Sequence, residues 1–123
     1  MKNKKPNIVF LFPDQFRSDF IESNGADWLE TPNINSIAKN GINYKNAFSA
    51  SPVCVPARTC LLTGMNAIKN GVASNLHNLR ADWKEAGVKI FPEIFSDSGY
   101  YTAGIGKMHF YPWDEKRGFQ YRV

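Results

Sequence analysis

The run Cys54-Val55-Pro56-Ala57-Arg58-Thr59-Cys60-Leu61-Leu62-Thr63-Gly64 spaces a thiol and a guanidinium four residues apart, about one helical turn. Pro56 suits the first turn of a helix and Gly64 its stop, so Cys54 is expected at or just before the helix N-terminus. Unpaired backbone N–H groups there favour an anion, and Arg58 would stay charged at any working pH. Taken alone, Cys54 reads better as a small buried hydrophobe and Arg58 as a surface arginine. Lys107 and His109 stand two residues apart; in an extended segment they would share one side of the chain, a point charge beside an imidazole able to exchange a proton near neutral pH. Asp14-Gln15 offers a carboxylate and an amide oxygen, donors that suit a hard cation.

These residues need elements to hold them. Asn7 to Phe12 is an apolar run between Pro6 and Pro13, the pattern of a strand buried on both faces in a parallel sheet. Thr31-Pro32 predicts a helix start, Ile34, Ile37 and Ala38 continue it, and Gly41 stands where a left-handed residue would end it. Ile42 to Phe48 alternates like a half-buried strand, and Ser49 to Pro52 is a loop. The helix of Cys54 follows through Leu62. Asn66 to Gly87 reads mainly as loop, Phe91 to Ser98 as a helix with Pro92 in its first turn, and Tyr100 to Ile105 as a third strand. The order predicts an α/β fold with right-handed crossovers onto a mostly parallel sheet flanked by helices. Asp14, Cys54, Lys107 and His109 would then gather at the carboxyl edge of that sheet, where open α/β sheets place ligands.

Length and composition agree with one domain: 123 residues, 43% hydrophobic and 21% charged, are proportions of a globular chain rather than a disordered or membrane-embedded one. The net charge of +4 draws much of its excess from Lys2, Lys4 and Lys5 and from Lys116, Arg117 and Arg122, which are expected to be solvated ends. No run of five or six basic residues argues for nucleic acid. The apolar stretch after Lys5 is shorter than a leader needs, and no segment approaches membrane-spanning length, so a cytoplasmic location is expected. Cys54 and Cys60 make no disulfide framework. His77 reads as a surface loop residue, Arg17 and Asp19 have only their proximity to Asp14 to recommend them, and Trp28, Trp83 and Trp113 read as packing residues.

The cysteine run matches the sulfatase signature C-x-P-x-R followed by leucine and T-G. Pro6-Asn7-Ile8-Val9, Thr31-Pro32-Asn33-Ile34, Gly41 with Ala47-Phe48-Ser49, and Gly99-Tyr100 to Gly106-Lys107-Met108-His109 resemble sulfatase N-terminal landmarks in the same order. The chain therefore resembles residues of the sulfatase family over nearly its whole length, as an incomplete N-terminal part (1–123) of a catalytic domain with the alkaline-phosphatase-like fold.

The resemblance implies hydrolysis of sulfate esters, arylsulfatase chemistry among them. It implies that a maturation enzyme oxidises Cys54 to formylglycine, whose hydrate attacks sulfur and later expels sulfate to restore the aldehyde. Arg58 would hold the diol, Lys107 would contact sulfate and the nucleophile, and His109 would hydrogen-bond the diol. Asp14, Gln15 and the modified Cys54 would bind a divalent cation, calcium first, with magnesium or manganese as alternatives. Many sulfatases carry aspartate where this chain has Gln15, and the Asp-Gln pair also resembles choline-sulfatase-like and phosphonate-monoester-hydrolase-like enzymes. The alternatives are therefore a phosphonate monoester or phosphodiester hydrolase, and a non-catalytic truncated fragment prone to self-association. The isolated chain is expected to be inactive, because the family draws further metal ligands from later in its chains.

Overall fold

The computed structural model describes residues 5–123, so Lys2 and Lys4 lie outside the described residues. The chain divides into a unit ending at Ala47 and a second running from Phe48 to Val123.

In the first unit, two 3-10 turns at Ser18–Phe20 and Glu22–Asn24 lead to helix α1, Pro32–Asn40. Pro32 opens α1 because its fixed φ suits a first turn and its missing N–H costs nothing there. Thr31 precedes the helix, but its side chain does not cap it. It turns back to the Glu22 segment: Glu22 N–H donates to Thr31 Oγ1 at 3.1 Å, and Thr31 N–H donates to Glu22 Oε2 at 3.2 Å. Asn35 closes the group, accepting from Ser23 N–H at 3.1 Å. Gly41 ends α1 with φ −132° and ψ −143°, so the left-handed stop expected there does not form.

Two expected strands are absent from this unit. Residues 7–12 are irregular and exposed, Val9 at 81% and Leu11 at 74%, and 42–48 form no ladder either. A parallel strand is held by neighbours on both sides, and among the described residues none pairs with these segments. The buried strand expected from the apolar run at 7–12 does not form, because no described neighbour covers it.

The second unit has a core. Helix α2 runs Cys54–Thr63, a short α3 Ala67–Asn70, and α4 Phe91–Asp97. Strands β1, Ala103–Gly104, and β2, Tyr121–Arg122, pair in parallel, with Ala103 opposite Tyr121 and Gly104 opposite Arg122. Val55 and Leu62 of α2 pack with Val72, Leu79, Trp83, Ile90 and Phe110. Gly64 takes φ 65° and ends α2 by donating its N–H to Cys60 O at 2.8 Å, the left-handed stop the sequence predicts.

Three readings change in this unit. The segment from Asn66 to Gly87 is more ordered than a loop: Asn66 caps α3 by accepting from Lys69 N–H at 2.9 Å, and Trp83 is in the core. The third strand shrinks from 100–105 to Ala103–Gly104, because its one partner, β2, offers two residues. The basic C-terminal segment is not a solvated end. Arg117 is buried, donates to Tyr111 O at 2.8 Å and pairs with Glu115 at 2.9 Å, while Arg122 lies in β2 and donates to Glu115 O. Burial pushes the Arg117 guanidinium below its ordinary range, and Glu115 opposes that shift.

Candidate active site

Cys54 is the first residue of α2, half-buried, with a free thiol. Pro56 falls in the first turn, where it sacrifices no hydrogen bond, and Ala57 N–H makes the first bond of the helix, to Val53 O at 2.8 Å. Asn75 reaches across from 20 residues away and accepts the Val55 N–H at 2.9 Å. A side-chain oxygen on an early helix N–H contributes about 0.5–2 kcal/mol. Nothing in the sequence singles out Asn75, since an asparagine in a loop gives no sign of which distant amide it meets.

Arg58 sits one turn below Cys54 and is buried. Its Nη1 donates to the backbone carbonyl of Lys107 at 2.5 Å. The Lys107 ammonium lies 3.9 Å from Cys54 Sγ, the outer limit of a hydrogen bond to sulfur. Lys107 thus meets α2 twice, through its carbonyl at Arg58 and its ammonium at Cys54. A guanidinium is costly to bury without an acceptor, so the Arg58 contact fixes the backbone of the segment just past β1.

Lys107 and His109 do not lie in an extended segment. Gly106 has φ 88° and His109 φ 56°, so the chain turns through left-handed residues on both sides of Lys107, and the two-residue alternation does not apply. The His109 ring instead stacks on Trp113, centroids 5.7 Å apart and planes 8° from parallel, beside Tyr111 at 6.2 Å. His109 Nδ1 is buried and makes no hydrogen bond among the described residues. A left-handed non-glycine residue with an unsatisfied buried nitrogen is the sort of local cost that gathers at functional sites. Trp113 therefore packs, as expected, but against a candidate site residue and with its outer face exposed.

Asp14 and Gln15 belong to the first unit, at an exposed turn in which Gln15 takes φ 51°. Their oxygens are donors of the type a hard cation takes. Among the described residues no three His, Cys, Asp or Glu side chains gather as a metal site. The pair therefore fits such an ion as two members of an oxygen set, well short of the six to eight calcium takes. In the same unit Arg17 and Asp19 pair with each other in solvent, and the Arg17 hydrogen bond holds the Asp19 carboxyl below its usual range. His77 Nδ1 accepts the Ala73 N–H at 3.2 Å, a turn-forming role.

Known proteins share this arrangement of chain. The sulfatase family model matches residues 6–123. An arylsulfatase of Clostridium perfringens is 38% identical over 122 residues, covering 94% of this chain and 23% of its own length. An N-acetylglucosamine-6-O-sulfatase of Bacteroides thetaiotaomicron is 32% identical over 98% of this chain, and a choline-sulfatase of Rhizobium meliloti 32% identical over all of it. The chain spans 20–23% of the length of these three relatives. A solved structure in complex with its substrate D-glucosamine-2-N,6-O-disulfate superposes with a TM-score of 0.85 at 32% identity, over 97% of this chain and 23% of the other. That likeness shows the alkaline-phosphatase-like α/β fold that the sulfatase resemblance implies. The family match across residues 6–123 establishes that this chain belongs to the sulfatase family.

Proposed function

We propose that this chain carries the nucleophile-bearing part of a hydrolase of sulfate esters, with residue 54 as the reacting group. The observation that carries the reading is the meeting of Cys54 Sγ, the Lys107 ammonium and, through the Lys107 carbonyl, Arg58 at the start of one helix. A fixed ammonium beside the reacting atom favours an anionic substrate and stabilises charge as it develops. Family membership supports the sulfate ester as that substrate.

Oxidised to formylglycine by a maturation enzyme and hydrated, residue 54 supplies a geminal diol, one hydroxyl for attack on sulfur and one for release of sulfate. A divalent cation, calcium or else magnesium or manganese, supplies a positive charge for the sulfate oxygens when bound. Asp14, Gln15 and the modified residue 54 are the donors proposed for it. Lys107 holds the sulfate by its point charge, Arg58 braces Lys107, and His109 is the residue proposed to hold or pass a proton at the diol. Gln15 favours a second reading: the Asp14-Gln15 pair also resembles that of phosphonate-monoester-hydrolase-like enzymes, so phosphonate monoesters or phosphodiesters are the alternative substrates.

The test pairs modification with turnover. The protein is produced with a formylglycine-generating enzyme, and the peptide containing residue 54 should lose about 18 mass units relative to the thiol, a change outside the ordinary oxidation ladder. Sulfate release from an aryl sulfate is then measured with and without added divalent cation, beside release from an aryl phosphonate monoester. Faster turnover of the sulfate supports the first reading, and faster turnover of the phosphonate the second. A fully converted residue 54 with neither ester cleaved would leave the chain as the non-catalytic fragment.

A further inference from the structure

We propose that Asn75 is a positioning residue for the reacting group at position 54, an inference that rests on the reading of Cys54 as that group. A helix begins with four backbone N–H groups that its own carbonyls cannot satisfy. In α2 these belong to Val53, Cys54, Val55 and the residue at 56. Val53 N–H donates to Ser51 Oγ at 3.3 Å, Val55 N–H donates to Asn75 Oδ1 at 2.9 Å, and Pro56 has none. Among the described residues, the donor these groups leave is the N–H of Cys54 itself. The positive end of α2 is thereby narrowed to the residue that carries the thiol.

Asn75 is well held for this task. Val72, fully buried, anchors the preceding chain, its N–H bonded to Asn70 Oδ1 at 2.9 Å. Around Asn75 the turn closes on itself: Leu76 N–H donates to Ser74 Oγ at 3.2 Å, His77 N–H to Ser74 O at 3.2 Å, and Ala73 N–H to His77 Nδ1 at 3.2 Å. The Asn75 oxygen therefore comes from a turn whose backbone is already spoken for. Without it, the part-buried Val55 N–H loses its partner, and the first turn of α2 must shift or fray to find another. Either movement displaces Cys54 from the Lys107 ammonium.

The experiment uses the full chain with Cys54 unmodified, so it is independent of maturation and turnover. Hydrogen exchange of the Val55 amide and the alkylation rate of Cys54 by iodoacetamide are compared in wild type, N75A and N75D, with the buried Cys60 as internal reference. In N75A the Val55 amide should exchange about fivefold faster, and the Cys54 alkylation rate should change by about threefold or more. N75D, which keeps an acceptor oxygen, should restore Val55 exchange. Wild-type exchange in N75A, or faster exchange with Cys54 alkylation unmoved, would overturn the proposal. If N75A does not fold, N75S serves in its place, since its hydroxyl is too short to reach Val55 and the same two rates decide. Failure of sulfate hydrolysis leaves these rates unaffected, so the two ideas fail separately.

Discussion

The unit ending at Ala47 exposes Ile8, Val9, Phe10 and Leu11, and its one buried hydrophobic residue among those described is Ala26. From Phe48 onward the balance reverses: Val72 and Ile90 are fully buried and a seven-residue cluster joins α2 to the loops around it. The first region is only modestly less apolar in sequence, 18 of 47 residues against 35 of 76, so composition alone does not account for the difference. The difference lies in whether partners are supplied nearby. The second unit brings Val55, Leu62, Trp83, Ile90 and Phe110 together from several short elements, and each covers another. The first offers a strand-like run whose stability depends on neighbours in a sheet, and its order comes chiefly from polar bonds among Glu22, Thr31 and Asn35.

That contrast can be broken most severely at Trp83. Replacing this buried ring by alanine should cost about 3–5 kcal/mol, read as a lower urea midpoint and the loss of cooperative unfolding in the second unit. Gly118 comes next. It sits at φ 77°, and an added Cβ would lie 2.5 Å from Glu93 Cγ and 3.1 Å from Ile90 Cδ1. Gly118→Ala should therefore destabilise by about 2–4 kcal/mol, combining left-handed strain with overpacking; a thermal melt within a degree of wild type would refute the close packing of α4 against this turn. The smallest effect on stability is expected in the first unit. Changing Val9 to Asp and Leu11 to Lys should leave the melt of the second unit unaltered while reducing self-association in sedimentation, because exposed apolar runs promote it. A sharp fall in stability would show that the run is covered after all.

Local chemistry made the helices legible. Pro32 and Pro92 mark first turns, Gly64 ends α2 as expected, and the Cys54 helix starts within the bounds its residues suggested. The spacing of Cys54 and Arg58 on one helix was equally readable. What Arg58 bonds to was not: its guanidinium meets the carbonyl of a residue 49 positions away. His109 was legible as a candidate and illegible in conformation, since left-handed backbone at a histidine leaves no mark in an apolar pattern. Arg117 is buried against expectation for a similar reason, because charge suggests exposure until Glu115 and the Tyr111 carbonyl are brought beside it.

By itself the sequence determined where α1, α2 and α4 start, which residues could react, and the family to which the chain belongs, because these depend on short-range rules of φ, capping and motif spacing. Tertiary structure decided which apolar runs become buried, that Asn75 holds the start of α2, and that Lys107 faces Cys54. Those outcomes depend on contacts between residues 20 to 53 positions apart, and the free energy of a long-range contact belongs to the pair rather than to either residue's place in the chain.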